Sequence, residues 1–262
     1  MKKLFRRTPI TYYGGKQKLV STILNLIPHH NLYCEPFCGG AAVFFCKPIS
    51  NVEILNDTNK ELMNFYEVMK TNKIELFEEV EKTLYSRSLF NDAWTIYNSP
   101  HLFTKVNRAW ALWVLSIQGF SGQLSGTWGY DKLKNSTVKK MNNRILELEE
   151  AAKRLRNVQI ESTDALRVID SRDTKDSFFY VDPPYFNSDC GHYDGYTEED
   201  FTQLLETLSK IEGKFLLSSY PSEILEKFTS DKGWFTIKKE MNIDAAKSSR
   251  KKIEVLTANY KI

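Results

Sequence analysis

Residues 31–40 read Asn31-Leu32-Tyr33-Cys34-Glu35-Pro36-Phe37-Cys38-Gly39-Gly40, and this segment sets the expected fold. Its first half is a short apolar run typical of a buried strand, and its second half is a glycine-rich turn. Ala41 to Cys46 continues as a helix of small and apolar residues. A strand, a turn and a helix in this order are typical of the crossover units of a parallel sheet.

The same alternation extends on both sides of this segment. Gln17 to Ile27 predicts a preceding helix, Asn51 to Asp57 a second strand, and Asn59 to Thr71 a second helix. Further predicted strands and helices are Val158 to Glu161, Phe178 to Val181, Glu198 to Leu208, Lys214 to Ser219, Trp234 to Glu240 and Ile253 to Tyr260. Between about Lys73 and Arg156 helical patterns replace the alternation, which predicts an inserted domain.

Composition excludes some classes of protein but selects none. A chain of 262 residues with 42% apolar residues has room for one large core, or for one core and a smaller lobe. The net charge of +3 is a weak indication of an anionic partner. The four cysteines form no CxxC pair, which argues against a zinc site and a disulfide framework. The basic N-terminus precedes no long apolar run, so we expect a cytoplasmic protein without a membrane partner.

The segment Asp182-Pro183-Pro184-Tyr185 places a carboxylate after an apolar strand, where open α/β sheets bind ligands. Asp182 and the carbonyl of Pro183 are acceptors suited to the N–H groups of an exocyclic amine, whose lone pair they would direct at an electrophilic methyl group. Tyr185 offers a face for a base flipped out of its stack, worth about 1–3 kcal/mol. The alternative is a Pro-Pro turn in which Asp182 caps a helix.

Four other segments carry candidate ligand contacts. The turn Glu35 to Gly40 allows close approach to the backbone, yet it matches neither the GxGxxG nor the Walker pattern, which disfavours phosphate cofactors. Asp57 is placed to accept from ribose hydroxyls, and Asp164 from an adenine amino group, although each is also a candidate N-cap. In Tyr12-Tyr13-Gly14-Gly15-Lys16, backbone amides and Lys16 are candidates for contacting a carboxylate or phosphate.

Together these segments resemble the D12 class of N6-adenine DNA methyltransferases, and the resemblance covers nearly the whole chain. It rests on Tyr12 to Lys16, Tyr33 to Phe44, Asn56-Asp57, Asp164 and Asp182 to Tyr185. The resemblance implies an α/β, Rossmann-like methyltransferase fold with a mixed seven-stranded sheet. It implies a catalytic domain of residues 1–58 and 157–262, and a mostly helical target-recognition domain of residues 59–156. The activity implied is methyl transfer from S-adenosylmethionine to N6 of a flipped adenine in duplex DNA.

The resemblance also implies residue roles. The catalytic segment is Asp182, Pro183, Pro184 and Tyr185. The residues implied to contact S-adenosylmethionine, with S-adenosylhomocysteine as product and no metal, are Tyr12, Lys16, Pro36, Phe37, Gly39, Gly40, Asp57, Asp164 and Asp182. The expected DNA contacts are Lys16, Phe120, Ser121, Gln123, Trp128, Tyr130, Lys132, Lys139, Arg144, His192 and Tyr193.

Specificity is expected in the insertion. Gly119 to Tyr130 resembles the family's DNA-contacting hairpin. Its sequence departs, however, from the Asn-x-Pro-x-Gly pattern of members that recognise GATC, so the recognition sequence stays open. Basic residues after it suit phosphate contacts, although an ordinary solvated lysine-rich helix is the alternative. Residues 187–197 are a candidate closing loop, and the segment 247–252 is a candidate for further backbone contacts.

Related segments also serve enzymes that act on N4 of cytosine, on RNA adenine or on a protein glutamine amide, and a DNA-binding regulator without turnover is a further alternative. Asp182 favours adenine as the substrate, and the order of the motifs favours DNA. The presence of both Asp182 and Lys16 favours an enzyme. A cognate restriction endonuclease is an expected partner, and a nucleoid-associated or phage-encoded protein fits the cytoplasmic location.

Overall fold

The computed structural model of the chain describes residues 8–187, 195–242 and 251–262. The strands are β1 Leu32–Glu35, β2 Val52–Asn56, β3 Gln159–Glu161, β4 Ser177–Val181, β5 Lys214–Ser219, β6 Phe235–Asn242 and β7 Lys251–Ala258. The helices are α1 Val20–Leu26, α2 Ala42–Cys46, α3 Lys60–Thr71, α4 Lys73–Glu81, α5 Arg87–Asn98, α6 Lys105–Gln118, α7 Ser136–Arg154, α8 Ala165–Arg172, α9 Glu198–Leu208 and α10 Glu223–Lys232.

The strands form one seven-stranded sheet in the order β3-β2-β1-β4-β5-β7-β6. β1 pairs in parallel with β2 and β4, and β4 pairs in parallel with β5. β7 runs antiparallel to both β5 and β6. The predicted mixed seven-stranded sheet is therefore confirmed, and the carboxyl ends of β1, β2, β4 and β5 lie at one edge.

The chain divides into two compact units. Unit 1 comprises Met1–Leu24, Cys38–Ile49 and Asp57–Ser162, and unit 2 comprises Asn25–Phe37, Ser50–Asn56 and Thr163–Ile262. Unit 1 contains α2 to α7 and buries large side chains such as Trp113, Phe65 and Tyr66. Unit 2 packs α8, α9 and α10 against a core that includes Phe179, Phe215 and Leu217. The assignment of residues 59–156 to target recognition stays a prediction.

Local sequence explains where several helices begin. The side chain of Asn59 accepts hydrogen bonds from the N–H groups of Glu61 and Leu62, so α3 starts one residue after it. Thr197 and Asp200 form a reciprocal capping box at the start of α9. The first predicted helix begins at Val20, three residues later than Gln17. Within the part of the chain that the structure describes, no helix is long and apolar enough to cross a membrane.

Candidate active site

Three loops of unit 2 follow the strands β1, β3 and β4, and the buried side chain of Asn56, at the end of β2, joins the first two. Its Nδ2 donates to the carbonyl of Pro36 at 2.8 Å and to that of Thr163 at 3.1 Å. Its Oδ1 accepts from the N–H of Thr163 at 3.0 Å. Asn56 thus sets the starts of the loops that carry Phe37 and Asp164. The sequence indicated Asn56 only as part of a motif, because its buried partners are distant in the chain.

The carboxylate of Asp57 contacts the glycine-rich turn within unit 1. Its Oδ2 accepts from the N–H of Gly39 at 3.0 Å, and its Oδ1 accepts from the N–H of Asn59 at 2.9 Å. The N-cap of α3 is Asn59, so the alternative reading of Asp57 as that cap is wrong. Burial raises the pKa of the Asp57 carboxyl, against the lowering effect of the two backbone donors from Asn59 and Gly39.

Tyr12 packs directly on the same turn of unit 1. Gly39 has a φ of +45°, and a Cβ atom at Gly39 or Gly40 would lie 3.2 or 3.0 Å from the Tyr12 side chain. Tyr12 therefore leaves little room for a side chain at either position. Burial, and next the charge of Asp57, raise the pKa of the Tyr12 phenol, which keeps it protonated. Four predicted cofactor residues, Tyr12, Gly39, Gly40 and Asp57, are thus brought together.

Lys16 directly follows a tight turn. The N–H of Gly15 donates to the carbonyl of Tyr12 at 3.1 Å and closes this turn. The Lys16 ammonium donates to the carbonyl of Gly14 at 3.2 Å. This contact folds the side chain back on its own loop. Contact of Lys16 with a cofactor or with DNA stays a prediction.

The segment Asp182 to Tyr185 in unit 2 forms a hydrogen-bonded group after β4. The Tyr185 hydroxyl lies 3.2 Å from Asp182 Oδ1 and 3.2 Å from Ser218 Oγ, and closer still to Glu254 Oε1. Burial, and then the charges of Asp182 and Glu254, raise the pKa of Tyr185 well above its ordinary value. The phenol is therefore a proton donor at neutral pH.

Residues 183–187 form no helix, so within the described residues Asp182 is not an N-cap. Pro183 is buried and Pro184 is half-buried. The ring of Tyr220 contacts that of Tyr185 edge-on, with 4.4 Å between centroids. Stacking of Tyr185 on a flipped base stays a prediction.

Asp164 and Phe37 occupy other loops of unit 2. Asp164 is the exposed N-cap of α8 and accepts from the N–H of Arg167 at 3.0 Å, as the alternative reading expected. Contact of this carboxylate with a cofactor remains a prediction. Phe37 meets Tyr196 edge-on, with ring centroids 6.4 Å apart. Tyr196 was not predicted as a site residue, since an isolated tyrosine has no distinguishing pattern.

Residues 118–130 of unit 1 form a tight hairpin. Gly119 bridges to Trp128, and the N–H of Phe120 donates to the carbonyl of Thr127 at 2.7 Å. The backbone of Ser121 is left-handed, with a φ of +57°, and its side chain is exposed. Phe120 and Tyr130 are 63% and 57% exposed, so both are accessible to a large partner.

Trp128 is held from two sides in unit 1. Its Nε1 donates to Oε1 of the fully buried Gln118 at 3.2 Å, and the guanidinium of Arg87 lies 4.8 Å from its ring centroid. Tyr130 stacks on it with 5.9 Å between centroids. An open cavity of about 380 Å³ lies beside these rings and is lined further by residues 131–135. Gln123 is half-buried within the hairpin.

The predicted basic residues do not share one environment. Lys132 and Lys139 are exposed, as phosphate contacts require. Arg144 is buried, its Nη1 donates to the carbonyl of Thr8, and it lies 3.6 Å from the Glu147 carboxylate. These contacts lie within unit 1, and the contact of Arg144 with DNA stays a prediction.

Several predicted residues lie outside the described part of the chain. These are the DNA contacts His192 and Tyr193, together with Lys247 and Arg250. Lys252 is described, and its ammonium donates to the Tyr220 hydroxyl at 2.6 Å inside unit 2. Among the described residues, no group of three or more His, Cys, Asp and Glu side chains is arranged to hold a metal.

Comparison with known proteins gives consistent matches. The family model described as D12 class N6 adenine-specific DNA methyltransferase matches residues 12–243. A type II methyltransferase of Lactococcus lactis subsp. cremoris is 26% identical over 94% of this chain and 93% of its own length. The DNA adenine methylase of Escherichia coli K12 is 25% identical over 100% of this chain and 97% of its own length. A type II methyltransferase of Methanocaldococcus jannaschii is 28% identical, and the match covers 73% of this chain and 74% of the relative.

Proposed function

This chain belongs to the D12 class of N6 adenine-specific DNA methyltransferases, and on that premise we propose how its residues share the reaction. The enzyme transfers a methyl group from S-adenosylmethionine to N6 of adenine in DNA. Asp182, Pro183 and Tyr185 hold the target base, Pro184 keeps the segment rigid, and the hairpin of unit 1 selects the site. The observation that carries this proposal is the position of Asp182 after β4, next to the Tyr185 hydroxyl.

The chemistry of the segment follows from its acceptors. The exocyclic amine of adenine is a weak nucleophile because its lone pair is conjugated with the ring. Asp182 and the Pro183 carbonyl accept its two N–H groups, which orients the lone pair. S-adenosylmethionine, when bound, supplies a methyl group activated by a positive sulfur. A proton then leaves the methylated amine, with Asp182 as its nearest acceptor in this proposal.

The donor set of unit 1 fits a nucleoside cofactor. Asp57 is fixed by two backbone N–H groups, and each carboxylate oxygen has a lone pair for a ribose hydroxyl. The glycine turn donates to that carboxylate, and Tyr12 packs on the turn. Lys16 is the cation proposed to contact the cofactor's carboxylate, or a DNA phosphate. From unit 2 we assign Pro36, Phe37 and Asp164 to the same cofactor.

For DNA we propose contacts from Phe120, Ser121, Gln123, Trp128, Tyr130, Lys132, Lys139 and Arg144, and from His192 and Tyr193, which lie outside the described residues. Exposed aromatic side chains beside lysines support this set, since phosphate contacts position a protein and side chains at base edges discriminate. A cognate endonuclease is proposed because two relatives carry the name type II methyltransferase. We also propose a cytoplasmic location, because the enzyme acts on DNA.

The overall reaction is tested with labelled S-adenosylmethionine and duplex DNA, followed by nucleoside analysis. We expect label in N6-methyladenine. Label in N4-methylcytosine, or in RNA alone, would contradict the proposal.

The role of Asp182 is tested with Asp182→Ala. Loss of the acceptor should lower kcat by roughly 100-fold or more, by analogy with the loss of one transition-state hydrogen bond. Calorimetric affinity for S-adenosylmethionine should change by less than about threefold, or 0.65 kcal/mol. The matched control is Asp173→Ala, which removes an acceptor of the Glu212 and Gly213 N–H groups from a loop without a proposed catalytic role. Retained turnover in Asp182→Ala would refute the assignment.

A further inference from the structure

A second carboxylate, that of Glu254, lies beside the catalytic segment in unit 2. β7 is antiparallel to β5, and Ser219 pairs with Val255. The first half of β7 therefore lies at the edge where the parallel strands β4 and β5 end. Glu254 is 6% exposed there. The carboxyl oxygens of a side chain this deeply buried require hydrogen-bond donors, since removal of polar groups from water is costly.

Two hydroxyl groups supply those donors. Ser218 Oγ donates to Glu254 Oε1 at 2.6 Å, and the Tyr185 hydroxyl donates to the same oxygen. The Tyr185 hydroxyl also lies 3.2 Å from Asp182 Oδ1, which is a longer contact. A phenol has one proton, and hydrogen-bond strength falls with distance. The proton therefore points to Glu254 and away from Asp182.

The Tyr185 ring is held on a second side. The Tyr220 ring contacts it edge-on at 4.4 Å between centroids, and the Lys252 ammonium fixes the Tyr220 hydroxyl at 2.6 Å. With Glu254 on its hydroxyl and Tyr220 on its ring, Tyr185 has one defined orientation. Glu254 and Lys252 both come from β7, a strand that contributes none of the predicted catalytic residues.

We propose that Glu254 is a positioning residue for methyl transfer. By accepting the phenolic proton, it fixes Tyr185 and keeps that proton from occupying the Asp182 carboxylate, which must accept from the substrate amine. This inference rests on the role proposed above for Asp182. Glu254 acts through Tyr185 and does not itself touch the reacting atoms.

The test is a double-mutant cycle of Glu254→Gln and Tyr185→Phe, measured as kcat with saturating duplex DNA and S-adenosylmethionine. A glutamine amide has no negative charge, so it holds the phenolic proton less strongly than a carboxylate does, and the proton is shared with Asp182. We expect Glu254→Gln alone to lower kcat by about 10-fold or more, equivalent to 1.4 kcal/mol, with affinities for DNA and S-adenosylmethionine unchanged. In the Tyr185→Phe background the same change should alter kcat less than about twofold, because coupled residues are not additive.

The matched control is Glu53→Gln, which changes another buried glutamate of unit 2 that accepts from the N–H of Ser50 at 3.1 Å. It should lower thermal stability. Its effect on kcat should be the same in the wild-type and Tyr185→Phe backgrounds. Wild-type kcat in Glu254→Gln, or equal losses in both backgrounds, would overturn the proposal. If Glu254→Gln does not fold, Glu254→Asp replaces it with the same expectations, since the shorter side chain withdraws from Tyr185.

The result for Asp182→Ala separates the two proposals. An inactive Asp182→Ala combined with additive losses refutes the role of Glu254 alone. An active Asp182→Ala refutes the role of Asp182, on which the present inference depends.

Discussion

Asp57→Ala is the substitution whose consequences the structure predicts most directly. It removes the acceptor of the Gly39 N–H at 3.0 Å and of the Asn59 N–H at 2.9 Å. A hydrogen bond to a charged group contributes about 1.5–3 kcal/mol, and the cost of burying the carboxylate, which raises its pKa, reduces the sum. We therefore expect a loss of about 2–4 kcal/mol in the free energy of unfolding. For a chain of this size that is a fall in Tm of roughly 4–16 °C.

The Asp57→Ala substitution should also lower the affinity for S-adenosylmethionine. Loss of the charged acceptor for ribose hydroxyls, at about 1.5–3 kcal/mol, raises Kd by about 10- to 160-fold. Calorimetry at a temperature where the variant is folded measures this. The control is Asp131→Ala in the same unit, which removes the acceptor of the Thr137 N–H at 2.7 Å but belongs to no proposed cofactor contact. It should lower Tm and leave Kd unchanged.

The two roles of Asp57 are separable by these measurements. A lower Tm with an unchanged Kd would make Asp57 a purely structural residue and refute the cofactor assignment. An unchanged Tm would contradict the energetic reasoning from the two backbone contacts.

Two further predictions concern other parts of the chain. Thr197→Ala breaks the capping box of α9 and should cost about 0.5–2 kcal/mol at pH 7, measured by urea unfolding. The Thr197 N–H and hydroxyl lower the pKa of Asp200, so the stability that Asp200 contributes is present above the ordinary aspartate pKa and is lost as pH falls through the lowered value. The cost of Thr197→Ala should therefore shrink in acid, and a cost independent of pH would contradict this. Lys132→Gln and Lys139→Gln should each reduce the slope of log affinity for DNA against log salt by about 0.9. Lys153→Gln, whose ammonium pairs with Glu149 and Glu150, is the control, and equal slopes in all three variants would remove the lysines from the interface.

Much of the fold follows from local sequence. The predicted bounds of α9, Glu198–Leu208, and of β5, Lys214–Ser219, agree with the structure. A capping box starts the helix and an apolar run forms the strand, and both signals lie within a few residues. The order of motifs along the chain likewise sufficed to identify the family. α8 and α10 were not predicted, because helices of 8 and 10 residues span too few turns for a clear apolar period.

The partners of buried polar groups were decided by tertiary structure alone. The sequence placed Arg144 among surface cations, yet it bonds to the carbonyl of Thr8, 136 residues away. Glu254 reaches Tyr185 only because β7 is antiparallel to β5, a pairing that strand propensity does not specify. Periodicity and capping are properties of neighbouring residues, whereas a buried charge is satisfied by whichever donors the strand order brings to it. The residues of the catalytic segment could therefore be identified from the sequence, but the hydrogen bonds that hold them in place could not.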